Sequence, residues 1–128
     1  MKTKLILMAH GSSSKEWSDA FVDMTAQVRE DFDDAELAFM ELSTPSLEQS
    51  CTKAKADGYD RVQVLPLFLA VGRHLKKDVP AMIAQYEQEL ELSIELLPPI
   101  GHHPAIAKAI HEAARDYLQA TNDSRDDK

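Results

Sequence analysis

The sequence predicts an α/β fold, a four-stranded parallel sheet flanked by helices in the order 2-1-3-4. Three observations carry this expectation. Strand-like apolar runs alternate with helix-like stripes four times over, the pattern of a parallel sheet with helical crossovers. The first run, Leu5 to Ala9, is apolar without interruption, as suits a central strand covered on both faces. The length of 128 residues, with 44% apolar and 28% charged side chains, suits one domain that can bury a core without disulfides. Right-handed crossovers then leave 2-1-3-4 as the simplest doubly wound order, with its switch point between strands 1 and 3.

The elements follow in turn. Strand 1 runs from Lys4 to Ala9 and ends at His10-Gly11-Ser12-Ser13-Ser14, where serines offer caps to a helix whose apolar face is Trp17, Ala20, Phe21, Met24 and Val28. At that spacing Trp17 and the methionines read as core. Ala35 to Met40 is strand 2. Ser43-Thr44-Pro45 starts the next helix with Pro45 at its first position, Leu47, Cys51 and Ala54 as its buried stripe and Gly58 as its stop. Arg61 to Leu65 is strand 3, with Pro66 marking its end or a bulge. Leu67 to Lys77 reads as irregular or briefly helical. Asp78-Val79-Pro80 is the expected start of a long helix with Met82, Ile83, Tyr86 and Leu90 inward. Leu92 to Leu97 is strand 4, closed by Pro98-Pro99. A loop through His102-His103-Pro104 opens a last helix striped by Ile106, Ile110, Ala113, Tyr117 and Leu118. The domain is expected to span residues 1–120, with 121–128 a polar, disordered tail.

Composition and missing motifs exclude several functions. A net charge of −8 argues against nucleic acid, whose phosphates need clustered Lys and Arg. The apolar run at the N-terminus is too short for a signal peptide, no stretch reaches membrane-span length, and the one cysteine has no partner, so the expected location is cytoplasmic. HExxH, CxxC and paired helical histidines are absent, which disfavours a structural zinc. There is no P-loop and no GxGxxG, hence no sign of ATP or a dinucleotide. Ala9 stands where an RHG histidine phosphatase would carry arginine, and Gly-Ser-Ser-Ser is not a nucleophile elbow.

Chemistry is expected at the switch point, outside the carboxyl ends of strands 1 and 3. His10 leaves strand 1 there. Gly11 allows close backbone approach, and Ser12 and Ser13 supply hydroxyls beside helix amides that can hold an anion. After strand 3, His74 sits among Arg73, Lys76 and Lys77, a local attractor for carboxylates in an acidic chain. Glu41 ends strand 2, one strand from His10. His102 and His103 follow strand 4, one of them in a capping position, and His111 reads as a surface residue of the last helix.

Four segments together resemble the small sirohydrochlorin chelatases of the CbiX/SirB type, the class II chelatase family. They are Ala9-His10-Gly11-Ser12, Met40-Glu41 with Pro45, Leu65-Pro66-Leu67-Phe68-Leu69 through Gly72-Arg73-His74 to Asp78-Val79-Pro80, and Pro99-Ile100-Gly101-His102-His103-Pro104. The third is the most specific, and the resemblance runs from strand 1 to about Ala109. It implies a chelatase-like fold of two similar α/β halves facing a cleft, supplied in short members by a homodimer. It implies His10 and His74 as the active-site histidines and metal-contacting groups, with Glu41 in a more variable acidic position. The glycine commoner before the first histidine is Ala9 here. The implied reaction is ATP-independent insertion of cobalt, iron or nickel into a sirohydrochlorin-type tetrapyrrole, in cobalamin or sirohaem synthesis. The metal is then a substrate and no cofactor is permanently bound. Arg73, Lys76 and Lys77 would meet the peripheral carboxylates. Two other readings stand beside it: a tetrapyrrole or metal carrier without turnover, and a small-molecule hydrolase using His10 as base.

Overall fold

A computed structural model describes the backbone of residues 2–126 and the side chains of residues 2–121 other than His74. Its four strands are β1 (Thr3–Ala9), β2 (Ala35–Phe39), β3 (Arg61–Pro66) and β4 (Ser93–Leu96). All pairings are parallel and the order is β2-β1-β3-β4, as the sequence predicts. Pro66 closes β3 opposite Met8, at the end of the ladder where a missing amide is tolerated. The helices are α1 (Lys15–Met24), α2 (Ala26–Asp31), α3 (Leu47–Ala56), α4 (Arg73–Leu90) and α5 (Pro104–Asp126), with a 3-10 turn at Ile100–His102.

Each face of the sheet carries its own apolar layer. On one, Ile6, Met8, Val62 and Val64 of the central strands meet Leu47, Cys51 and Ala54 of α3 and Val79 and Ile83 of α4. On the other, Leu7, Ala9, Leu37 and Phe39 are covered by Phe21 and Val28. Burial drives both layers, at roughly 25 cal/mol per Å² of apolar surface. Cys51 is fully buried, and desolvation, then the charge of Glu36, pushes its thiol up to about 12.

Four expectations are corrected. The single helix after β1 is two. At Thr25 the side-chain hydroxyl donates to the Phe21 carbonyl at 2.8 Å, and the chain turns between α1 and α2. Of the expected apolar face, Trp17 and Met24 are exposed rather than core, because only Phe21 and Val28 reach the sheet. Pro45 lies outside α3, whose first turn is set by a capping box in which Ser46 and Gln49 satisfy each other's amides. α4 starts at Arg73, seven residues upstream of Pro80, which sits inside the helix. Leu75, Val79, Met82 and Ile83 pack on one core from one helical face, and that packing outweighs the proline's missing bond.

At the other end, α5 continues through Asp126, past the expected boundary at residue 120. Neither glycine nor proline interrupts it after Pro104, and residues 127 and 128 lie outside the described set. Its main contact within the chain is the 3-10 turn, and of its described residues only Ile106 is partly buried. No helix among the described residues is long and apolar enough to cross a membrane.

Candidate active site

The carboxyl edge of the sheet is built from two pairs of loops, each stitched by backbone bonds. In the first pair the loop after β1 lies on the loop after β2. The Met40 amide donates to the Ala9 carbonyl at 2.8 Å and the Glu41 amide to the His10 carbonyl at 3.2 Å. Gly11 stands between them at φ +97, and a Cβ there would overlap the carbonyl oxygen of Glu41. The Ser43 hydroxyl completes the stitch: it accepts from the Ser12 amide at 3.3 Å, donates to the Ser12 carbonyl at 2.9 Å and meets the Ser18 hydroxyl at 2.9 Å. In the second pair the Gly101 amide donates to the Phe68 carbonyl at 3.1 Å, and a Cβ at Gly101 would overlap the Leu69 carbonyl oxygen.

This framework aims His10 outward. Its side chain is 46% exposed, with Nδ1 3.3 Å from the Gly11 carbonyl oxygen and Nε2 3.8 Å from a Glu41 carboxylate oxygen. A carbonyl can only accept, so Nδ1 is the donor. In the neutral ring Nε2 then presents its lone pair to the open side, next to an anion. The Phe68 ring, tilted at 59° with its centroid 6.2 Å away, is the other neighbour. Such a group can accept a proton or bind a metal ion, and Glu41 can stabilise the imidazolium that protonation creates.

The second predicted cluster opens α4. Gly72 is its N-cap, and Arg73, Lys76 and Lys77 are exposed in the first turns, with no acidic residue in the first turn. Cations and the positive end of the helix thus coincide at the carboxyl edge of the sheet. His74 lies in that first turn by its backbone, and its side chain lies outside the described residues. Next to this helix start is a cavity of about 570 Å³ with Phe68, Val71, Leu75 and Leu96 in its apolar walls and Lys76 and His102 among its lining residues.

The structure brings together His10, Gly11, Ser12 and Glu41 on the first loop pair. Ser13 is exposed beside them. The Ser12 amide is already taken by Ser43, while its hydroxyl accepts from the Ser14 amide at 3.0 Å and keeps its own proton to donate. Ser14 occupies the N-cap of α1 without a side-chain bond. The two histidines after β4 divide. His103 Nδ1 accepts from the Ala105 amide at 3.0 Å, a capping role in the first turn of α5, whereas His102 faces the cavity. His111 is exposed on α5. Ser43 and Phe68 are the residues not anticipated as site-forming. Nothing local marks Ser43, since its partners are 25 and 31 residues away. Among the described residues, no group of three or more His, Cys, Asp or Glu side chains is placed to hold a metal ion.

Comparison with known proteins gives a consistent picture. The CbiX family model matches residues 4–117. A sirohydrochlorin cobaltochelatase of Sulfurisphaera tokodaii is 32% identical over 120 residues, covering 94% of this chain and 98% of the relative. One from Methanopyrus kandleri is 38% identical over 138 aligned residues, covering 89% and 96%. Among solved structures, a cobalamin (vitamin B12) biosynthesis CbiX protein from Marinobacter aquaeolei VT8 superposes with a TM-score of 0.89 at 42% identity, covering 92% of this chain and 98% of that one. The sirohydrochlorin chelatase SirB from Bacillus subtilis subspecies spizizenii, in complex with cobalt, superposes with a TM-score of 0.77 at 25% identity. There the alignment covers 91% of this chain and 51% of SirB.

Proposed function

The chain belongs to the CbiX family, and on that premise we propose that it is a chelatase that inserts a divalent metal ion (cobalt, iron or nickel) into sirohydrochlorin without ATP. Metal and tetrapyrrole are both substrates. The observation that carries the reading is His10, whose Nδ1 is committed to the Gly11 carbonyl so that Nε2 is left free at the open edge with Glu41 behind it. The reaction requires such a group. Two pyrrole N–H protons must leave as the doubly charged ion enters, so charge balances and the protons need an acceptor. His10 Nε2 takes a proton, and the 53% exposed Glu41 carboxylate passes it to solvent. His74, the family's second histidine, is the partner that contacts the metal. Late first-row metals bind imidazole more strongly along the series to copper, so supply in the cell decides among cobalt, iron and nickel.

Arg73, Lys76 and Lys77 draw the substrate's carboxylates to an otherwise acidic protein. These charges are solvent-exposed, so they act mainly on KM and are weakened by salt. The activity is assigned to the cytoplasm, the compartment where a lone cysteine without a disulfide partner is ordinary. Insertion assays with sirohydrochlorin and each of the three metals at equal free concentration test the function. At least one metal should be inserted well above the enzyme-free rate. Binding of the tetrapyrrole with no rate above background for any metal would make the protein a carrier.

The active unit in this reading is a homodimer. A single four-stranded domain offers the macrocycle an open shelf, whereas ligands of that size normally have ~70–90% of their surface buried. The apolar face of α4 is used within the chain's own core, which leaves α5, where Ile110, Tyr117 and Leu118 are 64%, 77% and 63% exposed. A second copy against that stripe, related by a closed two-fold axis, buries it. Sedimentation equilibrium at micromolar concentration should give a dimer, and Ile110→Glu with Leu118→Glu should give a monomer with impaired insertion. A monomeric wild-type chain that inserts metal at full rate would refute the shared cleft.

A further inference from the structure

The cavity beside α4 is not accounted for by the proton and metal chemistry at His10. It lies at the carboxyl ends of β3 and β4, and its volume of about 570 Å³ falls in the range of small-molecule sites. Its walls are apolar, from Phe68, Val71, Leu75 and Leu96, while its two basic lining residues, Lys76 and His102, are exposed at its mouth. Phe68 is shared, since the same ring faces His10 at a centroid distance of 6.2 Å. The cavity and the reacting group therefore share one side chain as a neighbour. The mouth is also rigid. The Gly101 amide is bonded to the Phe68 carbonyl, and Gly101 is packed so closely on Leu69 that no side chain fits, so the turn carrying His102 is pinned to the strand-3 loop.

An apolar pocket with a lysine ammonium and an imidazole at its rim fits one kind of group, an apolar ring edge bearing a carboxylate arm. In a chain of net charge −8, a carboxylate has few other places to settle near His10. Resting on the chelatase reading, we infer that this cavity is a subsite for one pyrrole-ring edge of the tetrapyrrole, with Lys76 and His102 holding that ring's carboxylate arm. His102 is thereby a substrate-binding residue. By holding one edge of the macrocycle against Phe68, the subsite supplies binding energy that is the same before and during metal insertion, so it acts on KM rather than on kcat.

Absorbance titration of the metal-free protein with sirohydrochlorin, alongside steady-state insertion kinetics, tests this. Val71→Trp fills the cavity, and His102→Gln replaces the imidazole at an exposed position with no effect on folding expected. Each should weaken tetrapyrrole binding and raise its KM about tenfold, with kcat altered by less than about twofold and the metal KM unchanged. Sirohydrochlorin with its carboxylates esterified should bind wild type and His102→Gln equally. The titration needs no turnover, so it reads the subsite independently of whether insertion is observed. Unchanged affinity in both folded variants would overturn the subsite while leaving the chelatase reading intact. A fall in kcat at constant KM would equally overturn it, because it would place His102 in the chemistry.

Discussion

His10→Ala is expected to lower metal insertion, measured above the enzyme-free rate at saturating tetrapyrrole, by about 10²–10⁴-fold, the range associated with losing a positioned acid–base group. The fold should survive. The side chain is 46% exposed and its described contacts are the Gly11 carbonyl, the Glu41 carboxylate and the Phe68 ring, so its removal opens no cavity in the core and water can take its place at the Gly11 carbonyl. Glu41→Gln should cost far less, about tenfold, because a carboxylate 3.8 Å away and half in solvent stabilises an imidazolium only weakly and water can replace it as proton acceptor. Comparable losses in the two variants would shift the base from His10 to Glu41. Near-normal turnover in a folded His10→Ala protein would remove His10 from the mechanism.

Gly11→Ala is the second large effect, and it reaches the site through the backbone. The φ of +97 costs any residue with a Cβ about 1–3 kcal/mol, before the overlap with the Glu41 carbonyl oxygen is counted. To relieve the overlap the loops after β1 and β2 must part, which breaks the Glu41–His10 backbone bond and the Ser43 stitch to Ser12. Lower stability and strongly reduced insertion should therefore appear together. Gly72→Ala is the control. A Cβ there meets open space and φ is −74, so only the N-cap preference of α4 is affected, at less than about 1 kcal/mol. Denaturant midpoints of the two variants check this, and equal midpoints would show that the loops yield without cost.

Much of this architecture is legible in the chain. Buried parallel strands announce themselves as unbroken apolar runs, and the strand order that follows puts the carboxyl ends of strands 1 and 3 side by side, with His10 leaving the first of them. What escapes reading is decided by tertiary contact. Pro80 looks like the start of a helix, yet Leu75 extends the apolar stripe of Val79 and Ile83 one turn upstream, and the core recruits it. Thr25 looks like an ordinary helical residue until its hydroxyl bonds back to Phe21 and ends α1. The start of α3 is legible one residue beyond Pro45. Ser46-Leu47-Glu48-Gln49 is a capping box, a stronger signal than Pro45 one residue before it. Ser43 carries no local signature, because it matters through a loop that is distant in sequence, and for Phe68 and Gly101 the family-like segments mark the residues but not their partners across the loops.

The burial of Cys51 has a consequence for a member of a chelatase family. Only the deprotonated form of cysteine is a soft ligand and a nucleophile, and a group pushed up to about 12 and sealed beneath α3 is almost wholly protonated at neutral pH. On the proposed reading, a divalent metal ion at the carboxyl edge of the sheet thus meets imidazole and carboxylate but no thiolate able to trap it. The same protonation and burial shield the sulfur from peroxide and so from the first rung of the oxidation ladder.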